Sequence, residues 1–381
     1  MAYYFIFPEK DTTLYSHPDR SNMNAGSDEI LELVKEKGSN NSIYHPSRIL
    51  IQFSDTDIQN AINKSNTNLF TSSLQLFSSE HQNLGSKQTV EVFPLSKTWE
   101  EGTGRYSNLP TSSNGSSWVY QNDSIRGTKW STSDFAIGTS GSIDDRKGIP
   151  LGGGEWYGGD SFIKSQSFSN AELLDLNLNV TSIVQKFSAS LINGSSYPTG
   201  IPNYGFLLKF TNNIEEATSA SFGDLQYFSS DTHTIYPPRL AFKWDDSTHN
   251  YGAQSSTKTS GELNVSLYRN KKEYNQNDEA LIRLHVRDKY PTRQFTSSSN
   301  YLQPGYFTTS SYYSIRDAHT EEEIIPFDDN CTKLSADSEG MYFKLYMNGL
   351  QPERYYRILF KHINNDGTQI YDDNYHFKVI R

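Results

Sequence analysis

Short apolar segments with a period of two recur along almost the whole chain, and that period restricts it to folds built from β-sheets. Leu74 and Leu76, and Val90 and Val92, alternate with polar neighbours; Phe206, Leu208 and Phe210, and Leu240, Phe242 and Trp244, keep the same period with Lys209 and Lys243 among the residues between them. On a strand, alternate residues share a face, so each segment has one face to bury. The first run passes through Ser47-Arg48-Ile49-Leu50-Ile51-Gln52-Phe53 and ends at Thr98-Trp99-Glu100-Glu101-Gly102. The pattern restarts at Leu263, Val265 and Leu267. It continues through Leu281 to Val286, Met341 to Tyr346, Tyr356 to Phe360 and Tyr375 to Val379. Five or more short strands over this stretch predict a second sandwich.

Helical patterns are few. Asp57 to Ile62 suits a short turn. Asn179 to Phe187 suits a helix, with Asn179 as its cap and Val180, Ile183, Val184 and Phe187 on one face. Glu29 to Lys35 fits either a helix or a strand by periodicity alone. Met1 to Lys10 has no basic leader and meets Pro8 and Glu9 early, so it is expected to be a first strand and not a signal peptide. No run approaches the roughly 20 apolar residues of a membrane helix, so no membrane partner is expected.

At 381 residues, two domains are expected. Hydrophobic residues make up only 35%, but 25 Tyr and 21 Phe supply material for cores, which argues against disorder. The net charge of −10 argues against nucleic acid as a partner. The one cysteine, Cys331, rules out an internal disulfide and reads as a small semi-buried side chain.

Two stretches lack alternation. Ser247 to Gly261 is polar and reads as a linker. Thr103 to Gly154 is long, rich in Gly, Ser, Thr and Asn, and carries Trp118, Tyr120 and Trp130; Trp156 and Tyr157 follow, flanked by glycines. A stretch this long is an elaborated insertion or a binding surface.

The order of these pieces resembles a DNRLRE-type jelly roll. The matching pieces are Asp11, Asn24-Ala25-Gly26, Ile30-Leu31-Glu32-Leu33, Arg48 to Phe53, Ser73 to Phe77, the Trp99 corner and a closing Pro237-Pro238-Arg239-Leu240-Ala241-Phe242. On that resemblance Glu29 to Lys35 is a strand. Gly349-Leu350-Gln351-Pro352-Glu353-Arg354-Tyr355-Tyr356 resembles the tyrosine corner of immunoglobulin and fibronectin type III sandwiches, with the Tyr356 phenol bonded to upstream backbone. The expected fold is therefore all-β. A jelly-roll β-sandwich spans 1–246, with an insertion at about 103–160; a linker at 247–260 leads to an Ig/FnIII-like β-sandwich at 261–381. The architecture is similar to virion structural proteins of T4-like marine tailed phages. That resemblance implies a non-enzymatic structural protein of a phage tail, neck or baseplate, assembled in the host cytoplasm. It would act through contacts with other virion proteins, as a homo-oligomer in a symmetric assembly. The alternative is a carbohydrate-binding adhesion module with a glycan partner.

The family has no fixed catalytic residues, and none are expected here. Glu100 and Glu101 are adjacent on an extended chain and point to opposite faces, so they do not form an acid–base pair across one substrate. Trp99 and Tyr356 are read as structural. Trp118, Tyr120, Trp130, Trp156 and Tyr157 are the candidate binding group, for a protein interface or a sugar. The competing reading is that they fill the insertion's own small core. No cofactor is expected, and a structural calcium ion is left open, with Asp144-Asp145 and Asp245-Asp246 as the acidic pairs nearest to that chemistry. The dispersed histidines form no zinc motif.

Overall fold

The computed structural model describes residues 2–37, 44–65, 69–82, 87–106, 114–123, 126–130, 136–137, 152–169, 173–193, 200–215, 223–250, 256–291 and 305–381. The chain is all-β, with two longer helices, Asp55–Ser65 and Thr181–Asn193, among the described residues. It divides into two compact units. One comprises 6–61 and 72–241; the other comprises 1–5, 62–71 and 242–381. The divisions fall inside the strands Ala2–Ile6, Phe70–Leu76 and Arg239–Trp244 and inside the helix Asp55–Ser65. The units are thus not two consecutive stretches separated at 247–260.

In the 6–61/72–241 unit the main sheet has the order Lys164–Ser169, Lys87–Pro94, Phe206–Phe210, Tyr44–Phe53, Ile30–Lys37, Asp224–Phe228, Ser78–Gln82. Every neighbouring pair is antiparallel. Pro8–Tyr15 adds to Tyr44–Phe53, pairing Asp11 with Ile51 and Thr13 with Ile49. The ambiguous segment is a strand, Ile30–Lys37, with Leu31 and Leu33 buried. Leu176–Asn179 pairs with Ser73 to Leu76 in a separate ladder. The helix that follows buries Ile183, Val184 and Phe187, and Asn179 Oδ1 accepts the Thr181 N–H at 3.0 Å. The apolar face and cap thus coincide with the positions the 3.6-residue period assigns.

The 242–381 unit contains two sheets. The first runs Ser256–Lys258, Gly305–Phe307, Glu279–Asp288, Gly340–Tyr346, Ser335–Asp337, with Leu263–Leu267 also on Glu279–Asp288. The second runs Glu273–Asn275, Gly367–Ile380, Tyr355–Asn364, Ser311–Asp317, Glu323–Ile325. Tyr313 of one sheet stacks on Phe343 of the other at 4.0 Å, and Phe343 also meets Phe360 edge-on at 6.2 Å; Ile282, Leu284 and Phe377 are buried in the same unit. Tyr356 is buried and its hydroxyl donates to Gln351 O at 3.0 Å, pinning the turn ahead of its strand. Described parts of 247–260 are bound into this unit. Ala336 donates to Thr248 O and accepts from Asn250 N–H, and Ser256–Lys258 pairs with Gly305–Phe307.

Candidate functional site

The Trp99 corner is held by one buried amide. Asn24 Nδ2 donates to Glu101 O at 2.6 Å and Ser116 O at 2.8 Å, and Asn24 Oδ1 accepts Gly104 N–H at 2.8 Å. One side chain thereby ties three segments, satisfying backbone groups that no ladder reaches. Two glycines make room for it. A Cβ on Gly26 would lie 2.1 Å from Glu101 O, and Gly102 has φ +86° with the Asn24 amide against it. The Asn24-Ala25-Gly26 and Trp99-Glu100-Glu101-Gly102 stretches are therefore two halves of one joint.

Trp99 is fully buried and its Nε1 donates to Tyr204 O at 2.9 Å. Lys10 lies over its ring at 4.6 Å and donates to its carbonyl. The two glutamates part company. Glu100 is exposed, whereas Glu101 is half-buried and its Oε1 accepts the Asp11 N–H at 2.8 Å. The Asp11 carboxyl is buried and accepts Ser230 N–H at 2.7 Å. Burial pushes Asp11 up to about 7, reinforced by the Glu101 and Asp231 charges and opposed by the Ser230 hydrogen bond. Burial also raises Glu101.

The three tryptophans of the aromatic group are core. Trp118, Trp130 and Trp156 are buried in one cluster with Trp99, Leu14, Leu50, Phe93, Leu95 and Leu207. Trp130 Nε1 donates to Ser117 O at 3.0 Å. These indoles are not free to stack on a sugar ring, because other side chains already cover their faces. Tyr120 and Tyr157 are partly exposed. Lys129 sits over the Tyr120 ring at 5.8 Å, and Tyr157 packs on Phe162 at 5.6 Å. The insertion's tryptophans are thus brought together, but facing the main sheet and not solvent.

Beneath them lies an ionic cluster that the sequence pattern did not single out. The Arg48 guanidinium is sandwiched between Trp118 and Trp156, 4.9 and 5.0 Å from their centroids. It donates to Gly153 O at 2.8 Å and to both carboxylate oxygens of Glu215, at 3.2 and 2.8 Å. Lys209, also buried, donates to Phe210 O and to Asn212 Oδ1, each at 2.7 Å. Its Nζ lies 3.4 Å from Glu215 and 3.7 Å from Glu91. Burial lowers Lys209 and raises Glu91. A charge inside a strand run was the one available signal, but partner identity depends on contacts up to 167 positions away.

No group of three or more metal-ligating side chains occurs among the described residues. Asp144-Asp145 lies outside them. Asp245 Oδ1 accepts from Ser247 N–H and Oγ in a local turn. No described helix is long and apolar enough to cross a membrane. The sequence matches no protein-family model and no curated protein.

Proposed function

We propose that this chain is a non-enzymatic structural protein of a tailed-phage particle, working through protein–protein contacts in a symmetric homo-oligomeric assembly. The observation that carries the reading is how its chemically capable side chains are used. Asn24, Arg48, Asp11 and the buried tryptophans each bind segments of the unit to one another. Such a network makes a stiff building block. The resemblance to jelly-roll and Ig-like virion modules supplies the phage setting. A contact surface is offered by the hairpin Tyr355–Asn364/Gly367–Ile380. There Ile363 (40% exposed) and Ile370 (62% exposed) are diagonal neighbours on one face, in the register that pairs Lys361 with Ile370 and Ile363 with Thr368.

The test is mass spectrometry of purified particles from infected cells, combined with chemical cross-linking. The reading expects this chain in stoichiometric amounts, cross-linked through the hairpin to other particle proteins or to its own copies. Particles lacking the chain, with the free protein left in the lysate, refute it.

A further inference from the structure

We propose that Lys209 and Asn212 form an intramolecular isopeptide bond, with Glu91 as the proton carrier. Three features of the geometry support this. The Lys209 amine is buried and donates to the Asn212 carboxamide, with Nζ 2.7 Å from Oδ1, so the nucleophile is held one bond away from the electrophilic Cγ. Glu91 is the cross-strand partner of Lys209, and its carboxylate lies 3.7 Å from the amine. Both Glu215 oxygens are already taken by Arg48, through Nε and Nη2, so Lys209, 3.4 Å from the same carboxylate, is the additional cation of the cluster.

That arrangement favours the neutral forms the reaction needs. Moving one proton from the Lys209 ammonium to the Glu91 carboxylate replaces a buried and a partly buried charge by two neutral groups. Burial lowers the first and raises the second, so both shifts run in that direction. The Arg48–Glu215 pair is left balanced.

The step then closes without an outside reagent. The Nζ lone pair attacks Asn212 Cγ, and a C–N bond forms. The tetrahedral centre collapses as the Cγ–Nδ2 bond breaks. Glu91 returns its proton to the departing nitrogen, which also takes one of the two protons on the attacking nitrogen. The products are a secondary amide, a Glu91 carboxylate and one ammonium ion, so the chain is lighter by one NH3 with no change of oxidation state.

The bond would join the end of the strand Phe206–Phe210 to the helical turn Asn212–Glu215, which carries the carboxylate that Arg48 requires. Its function would be to lock that turn, and so Glu215, beneath the tryptophan cluster.

The experiment is intact-mass measurement of the purified full-length chain under denaturing conditions, followed by peptide mapping. The bond removes one ammonia, so the mass falls about 17 Da below that of the sequence, and proteolysis yields a peptide internally linked between Lys209 and Asn212 that resists trypsin at Lys209. Asn212 is exposed, so N212A retains the fold and is expected to restore the full mass. Glu91→Gln is expected to slow or abolish the loss while near-UV circular dichroism stays native. A full-mass wild-type chain, fresh and after prolonged incubation, overturns the proposal. So does an ammonia loss that persists in N212A, which would place it at a succinimide elsewhere.

Discussion

Asp11→Asn is expected to stabilise the 6–61/72–241 unit, and to do so more strongly as pH rises. Asn keeps an oxygen that can accept the Ser230 N–H, now bound by Asp11 Oδ2 at 2.7 Å, but it removes a buried charge beside Glu101 and Asp231. Folding raises Asp11 from 3.8 to about 7, so the native state binds the proton more tightly than the unfolded chain. The stability gained from that proton is complete below the unfolded value and is lost as pH rises to the folded one. At 1.36 kcal/mol per unit, the full shift corresponds to roughly 4 kcal/mol as a ceiling, and the part developed between about pH 5 and pH 8 is roughly 2–3 kcal/mol. The assay is urea unfolding at both pH values, read by tryptophan fluorescence. Four of the five tryptophans, Trp99, Trp118, Trp130 and Trp156, lie in this unit, so the signal follows it. The difference between variant and wild type should widen by the stated amount from the lower to the higher pH. A difference that stays constant, or a variant less stable than wild type at the higher pH, refutes the argument that Asp11 is held in an environment hostile to its charge.

Arg48→Met leaves the Glu215 carboxylate buried without its bidentate partner and should cost about 3–5 kcal/mol, while the double variant with Glu215→Gln should recover much of it; a double-mutant cycle in urea measures both. Asn24→Ala strips the corner of its donors to Glu101 O and Ser116 O and its acceptor for Gly104 N–H, and should cost about 2–3 kcal/mol by denaturant midpoint, with faster amide exchange at Gly104. His362 is fully buried against Phe307, and burial lowers it from 6.5 to about 4, so its contribution is complete above 6.5 and is lost as pH falls toward 4. Replacing it by Phe should flatten the acid side of the 242–381 unit's thermal stability profile, which calorimetry reads.

Much of the fold was legible because its signal is local. Alternation at Leu74 and Leu76 or Val90 and Val92 needs only neighbours in the chain, and each pair is buried on a strand. The helix after Asn179 was legible for the same reason, since its cap and its apolar face lie within nine positions. The membership of the units was not. Residues 1–5 and 62–71 group with 242–381, and that grouping depends on contacts remote in sequence. The tryptophans stood out by type, but their role depends on Leu14, Leu50 and Leu207, which lie far from the insertion. Arg48 and Lys209 were the hardest to read. A charged residue in a strand usually marks the solvent face, and both are buried because a four-residue helical turn supplies Glu215 and Asn212.

Those two buried charges bear on how a chain only 35% hydrophobic sustains so large a unit. Apolar burial is weakly directional and specifies shape poorly, whereas a bidentate ion pair or a multiply bonded amide tolerates few arrangements. Asn24 ties the segment ahead of Ile30–Lys37 to the Trp99 corner, Arg48 ties Tyr44–Phe53 to Gly153 and Glu215, and Asp11 ties Pro8–Tyr15 to Ser230. Each joins stretches more than 75 positions apart. Their cost is desolvation, which is smallest where every donor and acceptor is met. At Arg48 the aromatic faces of Trp118 and Trp156 meet what hydrogen bonds leave over. The insertion's described tryptophans thereby gain a structural reason: Trp118 and Trp156 cover a buried charge that ties the sheet beneath them to Gly153 and Glu215. If so, removing an indole should loosen Arg48 as well as leave a cavity. Trp118→Leu combined with Arg48→Met should then cost measurably less than the sum of the two single changes.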